Sequence, residues 1–273
     1  MILDIYQVDA FTDQAFHGNP AGVCITTHDL DADTMKNIAS EMAVSETAFL
    51  NSETMNLRWF TPQVEVDICG HGTLSVAHIL RERQQAATGD TLVFHTRSGD
   101  LSVTLDADRY QLNFPASTVD LSQPLDTELL TQLGLQAEQV VQSGRFDSKY
   151  FVEVKQESVV RELAPNFAQL RKTVGRGALV TARADQAPSV QGQIDIVSRY
   201  FAPWVGVDED PVTGSAHCAL ATYWSERLGK TTLNAFQASE RGGDLKLTLL
   251  ENQRVQLIGQ AVTMLSGQFH LPD

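Results

Sequence analysis

Positive charge is scarce in this chain. Twenty Lys and Arg stand against 34 Asp and Glu, a net charge of -14 at pH 7, and the pI is about 4.8. Such a surface repels phosphate, which argues against nonspecific binding to nucleic acid or to an anionic membrane. A small anion in a locally positive pocket stays compatible with it. Cysteine is scarce too. Cys24, Cys69 and Cys218 are an odd number without framework spacing, which reads as buried or functional thiols in a reducing cytoplasm. No apolar run approaches the ~18 residues of a membrane span. The opening MILDIYQVDAF has no basic region followed by a long apolar core, so no signal peptide is expected. Phosphate-binding GxxxxGK, dinucleotide GxGxxG and nucleophile-elbow GxSxG patterns are all missing. Cys69 and His71 with His78, or His217 with Cys218, give no recurring metal-ligand spacing. Neither a metal nor a cofactor is expected, and the chemistry falls to acid–base side chains.

What is present is a repeat. Arg58-Trp59-Phe60-Thr61-Pro62 recurs as Arg199-Tyr200-Phe201-Ala202-Pro203, and Gly99-Asp100-Leu101 with its following residues recurs as Gly243-Asp244-Leu245. Seven residues past each proline sit Cys69 and Asp210, which pairs these two as repeat partners. Each is followed by a glycine-bearing turn and a helix of small and apolar residues. Copies of about 120 residues suit two domains better than a solenoid. The 273 residues, 42% hydrophobic and 20% charged, are enough for two ordinary cores.

Taken in order, residues 2–11 alternate as a strand, 11–21 form a turn-rich loop and 22–26 resume as a strand. Asp31 or Asp33 caps a helix to about Met42, with Met35, Ile38 and Ala39 at helical spacing. Strands follow at 48–50 and 57–60, a helix from the Gly70-His71-Gly72-Thr73 turn to about Arg83, a hairpin over 91–105 and a strand at 110–114. Residues 116–126 are polar and read as a linker. The second half is expected to hold helices at 125–133, 164–172 and 215–228. Its strands are expected at 150–154, 178–182, 194–201, 245–249, 254–259 and 261–266. Strands outnumber helices and the turns are hairpin-like. The fold class is α+β, a mostly antiparallel or mixed sheet wrapped around a central helix in each half. The expected division is 1–116 and 117–261, with the last strand, about 262–273, placed to pair back onto the first domain.

The first turn of a helix leaves N–H groups unpaired and carries partial positive charge, so it can hold a carboxylate without any lysine. Two such turns facing each other across a cleft predict a small carboxylate-bearing substrate. Glu46, His71, Asp210 and Ser215 are the polar groups the sequence can place there. Plainer readings exist for each. Glu46 could be a solvated acid at a helix end, Asp208-Glu209-Asp210 a solvated acidic run, and Thr213 and Ser215 simple N-caps. His71, between two glycines, reads less easily as a core histidine. Cys69 invites a two-base thiol racemase, but its repeat partner is Asp210 and not cysteine.

These residues lie in DAFTDQAFHGNPAGV (9–23), SETAF (45–49), RWFTPQVEVDICGHGT (58–73) and DEDPVTGSA (208–216). In motif and order the chain resembles the PhzF-like isomerases of phenazine biosynthesis, which are similar in fold to diaminopimelate epimerase. The resemblance implies two similar domains related by pseudo-twofold symmetry with the active site between them. It implies Glu46 as the catalytic proton shuttle, and His71 and Asp210 as catalytic residues that orient substrate and tune the transfer. Gly70, with Gly72 and Thr73 beside it, and Gly214 with Ser215 would hold the substrate carboxylate. Gly72 stands where many members carry proline or a small residue, a departure at the rim. No cofactor, no metal and commonly a homodimer are also implied, and the cysteine usage points to the cytoplasm. Burial in an apolar cleft is expected to raise the Glu46 pKa toward neutrality. The expected reaction moves a proton, as a double-bond shift or an epimerisation, on a small carboxylate-bearing metabolite. The alternatives are a thiol-dependent amino-acid racemase using Cys69 and a non-catalytic small-anion-binding protein. Phe16 to Pro20, Trp204 and Tyr223 are expected to line the cleft.

Overall fold

The computed structural model describes residues 1–185, 188–189 and 192–271. The chain forms two compact units, Met1–Phe114 with Gln256–Asp273, and Pro115–Val255.

The first unit opens with β1 (Ile2–Ala10) and β2 (Asn19–Thr26), an antiparallel pair. Helix α1 (Ala32–Met42) starts where the Asp31 carboxylate accepts the N–H groups of Asp33 and Thr34, a side-chain cap worth about 1 kcal/mol. Its Met35, Ile38 and Ala39 pack with Leu3, Ile5, Phe49 and Phe60. Strand β3 (Glu46–Asn51) then lies parallel to β2, and β4 (Asn56–Phe60) turns back antiparallel to it. Next come β5 (Glu65–Val66), α2 (Gly70–Glu82), the hairpin β6 (Thr91–Thr96) and β7 (Gly99–Leu105), and β8 (Tyr110–Pro115). Every residue of α2 from Gly70 to Leu80 is buried. A helix without a polar face belongs inside a core, and α2 contacts β1, β2, β3 and β7.

In the second unit α3 (Thr127–Gln132) is followed by the antiparallel pair β9 (Val140–Phe146) and β10 (Lys149–Val154). Two short helices follow, α4 (Glu157–Arg161) and α5 (Phe167–Leu170), then β11 (Ala178–Arg183), parallel to β10. The short β12 (Pro188–Ser189) and β13 (Gly192–Gln193) pair with each other. β14 (Ile196–Ala202) runs antiparallel to β11, and β15 (Val207–Asp210) pairs with β14. α6 (Gly214–Leu228) ends at Gly229, left-handed at φ 62. β16 (Thr232–Gln237) and β17 (Gly243–Leu250) form its last hairpin. The chain then returns through β18 (Arg254–Gly259) to β19 (Ala261–His270), which pairs with β1. No helix among the described residues is long and apolar enough to cross a membrane.

Several expected boundaries shift. Residues 164–172 yield only α5, while α4, β9 and β16 were not foreseen. The acidic run at Asp208 is strand β15, because Glu209 answers Arg199 with two hydrogen bonds of 2.7 and 2.8 Å. Arg58 and Glu65 make the same fork on β4 and β5.

The pairing order is the same in both units, and the registers fix which residues correspond. Phe60 pairs with Thr47 and with Glu65; Phe201, its repeat partner, pairs with Ala178 and with Glu209. Glu46 therefore corresponds to Gly177. The turn from Phe201 to Glu209 is three residues longer than that from Phe60 to Glu65, and it holds the 3-10 turn Pro203–Val205 with Gly206. That insertion corrects the expected pairing of Cys69 with Asp210. Cys69 is the N-cap of α2 and Thr213 the N-cap of α6, so these two correspond, as do His71 and Ser215.

Gly177 also has a packing reason. A Cβ there would stand 1.9 Å from the Tyr200 hydroxyl oxygen, and Tyr200 is buried. Gly177→Ala should destabilise the protein by about 1–3 kcal/mol, the usual range for overpacking, measured as a lower urea midpoint at unchanged slope.

Candidate active site

Glu46 is the first residue of β3, held by its pairing with Ala21 of β2. His71 is the second residue of α2. The two meet with His71 Nε2 3.3 Å from Glu46 Oε2. Ser45 Oγ lies 3.5 Å from the same nitrogen, and Asn19 Nδ2 lies 3.3 Å from Nδ1, where a protonated Nδ1 needs the amide turned to present its oxygen. Cys69 Sγ lies 3.7 Å from Nδ1 and 3.8 Å from Nε2. His71 and Cys69 are buried, and the Glu46 side chain is 22% exposed. The solvated-acid reading of Glu46 does not survive this contact.

Charge settles the roles. Burial pulls the Glu46 pKa up, but the His71 hydrogen bond and charge, with Ser45, outweigh it and leave it below the ordinary value. Burial pulls His71 down, while Cys69 and Glu46 push it well above the usual imidazole value. Burial raises the Cys69 thiol above its ordinary value, with His71 pulling the other way, and the Glu46 carboxylate is an anion placed to balance an imidazolium. The expected rise of the Glu46 pKa is thus reversed, because burial brought a cation with it.

The first turn of α2 is partly committed. Gly72 N–H donates to Cys69 Sγ at 3.4 Å. Thr73 N–H and Oγ1 both donate to the Cys69 carbonyl, at 3.1 and 2.7 Å. The N–H groups of Gly70 and His71 are what this turn can still offer a ligand. Gly72 is buried rather than at a rim, and a Cβ there would meet Cys69 Sγ and Trp59 at 3.0 Å.

In the second unit, Thr213 Oγ1 donates to Asp210 Oδ2 at 2.5 Å, and Gln237 Nε2 donates to the Asp210 carbonyl at 2.6 Å. Thr213 N–H donates to Gln237 Oε1 at 2.9 Å. Gly214 and Ser215 open α6, and Lys149 Nζ donates to Ser215 Oγ at 3.1 Å. His217 Nδ1 donates to the Thr213 carbonyl at 2.8 Å, and burial lowers its pKa to about 4, so it is a neutral core residue. Tyr223 is buried and donates to Glu153. Trp204 packs on the second unit's core beside Tyr150. Phe16 alone of the expected lining aromatics is widely exposed.

Sequence reasoning missed Gln237 and Lys149. Asn19 fell within the Phe16–Pro20 stretch expected to line the cleft, but its place against His71 was not foreseen. Lys149 lies one residue before the expected start of its strand. Gln237 ends the unforeseen β16.

Two sheet-and-helix units of this order define an α+β protein with the diaminopimelate epimerase-like fold. The chain belongs to the PhzC-PhzF family, described as phenazine biosynthesis-like protein, which matches residues 8–267. It is 45% identical to an uncharacterized isomerase of Halalkalibacterium halodurans over 99% of this chain and 100% of that one. It is 39% identical to a phenazine biosynthesis-like domain-containing protein of Homo sapiens over 98% and 99% of the two chains. Among solved structures, a phenazine biosynthesis protein of the PhzF family from Enterococcus faecalis superposes with TM-score 0.87 at 37% identity, covering 99% and 100%. A hydroxyproline epimerase from Agrobacterium vitis shares the fold, with TM-score 0.64 at 11% identity over 100% of this chain and 93% of that one. The chain is an isomerase of its family.

The pair carries a pH signature. A raised His71 pKa gives stability that is full below its ordinary value of 6.5 and is lost as pH rises through the folded value. A lowered Glu46 pKa gives stability present above its ordinary 4.5 and lost as pH falls through the folded value. The stability difference between parent and His71→Gln should therefore peak between pH 4.5 and 6.5. It should decline on both sides in denaturant titrations across pH.

Proposed function

We propose that this isomerase moves a proton on a small carboxylate-bearing metabolite with Glu46 as the general acid–base group, using side chains of the chain alone. The observation that carries the reading is the buried contact between Glu46 and His71, with the carboxyl pushed down and the imidazole pushed up.

The steps follow from those charge states. Glu46, ionised, takes a proton from a carbon next to a carbonyl or conjugated group, and the C–H electron pair moves into that system. The imidazolium of His71 faces the growing negative charge and stabilises it. Glu46, now protonated, returns the proton to another carbon, or to the other face of the same one. No electrons are gained or lost, and product and substrate are isomers. One group serves both halves of the cycle, so no second base is needed.

The substrate carboxylate is assigned to the N–H groups of Gly70 and His71. Gly214, Ser215 and Asp210 are assigned to substrate binding and orientation, with Lys149 behind Ser215 adding positive charge. The thiol-racemase reading lacks a second thiol, because the counterpart of Cys69 is Thr213.

The test is incubation of the enzyme in deuterium oxide with a panel of small unsaturated and 2-substituted carboxylates. At least one should take up deuterium at carbon. Glu46→Gln should lower that uptake about 10²–10⁴-fold, the usual worth of a positioned acid–base group, while the fold is retained. Unchanged uptake in Glu46→Gln would refute the role. A ligand that binds without exchange would favour the binding-protein alternative.

A further inference from the structure

The trio at the head of α2 has a second chemistry. Among the described residues, Glu46, Cys69 and His71 are the one group of His, Cys, Asp or Glu side chains that gathers three potential ligand atoms, all within 4.8 Å of one another. The sequence hides this set, because Glu46 starts a strand 23 positions before the Cys69-Gly70-His71 turn.

We propose that Glu46, Cys69 and His71 form a three-ligand site for a soft divalent cation, zinc by its chemistry, and that occupancy reversibly shuts the site down. The donor set is a thiolate, an imidazole and a carboxylate. It suits Zn²⁺ and excludes Mg²⁺ and Ca²⁺ as preferred guests, since those cations take oxygen ligands.

The two spacings from Nε2 are close to those around a tetrahedral ion. Nitrogen and oxygen bound at about 2.0–2.1 Å stand roughly 3.3 Å apart, and sulfur at about 2.3 Å stands roughly 3.6 Å from that nitrogen. The protein holds His71 Nε2 3.3 Å from Glu46 Oε2 and 3.8 Å from Cys69 Sγ. Sγ stands almost equally far from the two ring nitrogens, 3.7 and 3.8 Å, so the imidazole must rotate to aim Nε2 at the shared point.

Supporting groups are in place. A ligating imidazole is usually fixed by an acceptor on its other nitrogen; Asn19 Nδ2 stands 3.3 Å from Nδ1, so the amide must turn its oxygen to that nitrogen to play this part. The Gly72 N–H already points at Cys69 Sγ, and the start of α2 favours an anionic sulfur there. On binding, the thiol and the imidazolium release their protons to solvent, and the metal supplies the positive charge that the imidazolium gave up. Three protein ligands leave a fourth position for water.

Binding does not depend on the acid–base reading. Inhibition does, because the ion would occupy both Glu46 and Nε2.

The test uses the reduced full chain titrated with Co²⁺, a spectroscopic stand-in for zinc. The expected result is a near-ultraviolet sulfur-to-cobalt charge-transfer band that saturates at one equivalent and is displaced by Zn²⁺. Cys69→Ser, which keeps an N-cap side chain, should lose the band, and Cys218→Ser should keep it. No band in the parent, or a band that persists in Cys69→Ser, would overturn the site. Zinc should also abolish deuterium uptake, and a chelator should restore it. Cobalt binding by Cys69 without such inhibition would keep the site and instead count against Glu46 as the proton shuttle.

Discussion

The site depends on one buried contact, the carboxylate of Glu46 against the imidazole of His71. Neither group is stable there as a charged species without the other. Removing one partner of a buried pair costs on the order of 3–5 kcal/mol, because the other charge is left uncompensated. The contact therefore constrains the fold around it. Glu46 must begin β3, which the register of Ala21 against Glu46 sets, and α2 must start where β5 and the Cys69 cap deliver it. A slip of one residue in β3 would turn Glu46 to the opposite face of the sheet.

Duplication supplied the frame and divergence supplied the chemistry. Both units repeat the same strand pairings and the same arginine–glutamate fork. Their functional positions differ one by one. Glu46 corresponds to Gly177, Cys69 to Thr213 and His71 to Ser215. The first unit kept the titratable groups. The second kept hydroxyls, with Asp210 tied to Thr213 and Gln237. A symmetric pair of bases is absent from these corresponding positions, which supports the proposal that one carboxyl group moves the proton.

Much of this was legible in the sequence, for physical reasons. The aromatic repeat around Phe60 and Phe201 marks strands that bury their rings, and Gly70 and Gly214 mark helix starts. Asp31 or Asp33 before an apolar 3.6-residue pattern placed the start of α1 to within two residues, and the cap is Asp31. What failed was of two kinds. Insertions are invisible to a fixed offset, so the three extra residues after Phe201 mispaired Cys69 with Asp210. Long-range neighbours are invisible to local chemistry, so burial was expected to raise the Glu46 pKa when His71 lowers it. Tyr223 looked like a lining residue by type, but its helix is turned into the core. Strands β9 and β16 were missed because VVQSGRF and TLNAFQ alternate too weakly to stand out from turns.

The most direct test is the protonation state of His71 read from its ring-nitrogen NMR shifts in the resting enzyme at neutral pH. The account predicts an imidazolium with both nitrogens protonated, reverting to a neutral ring in Glu46→Gln. A neutral His71 in the parent enzyme would contradict it.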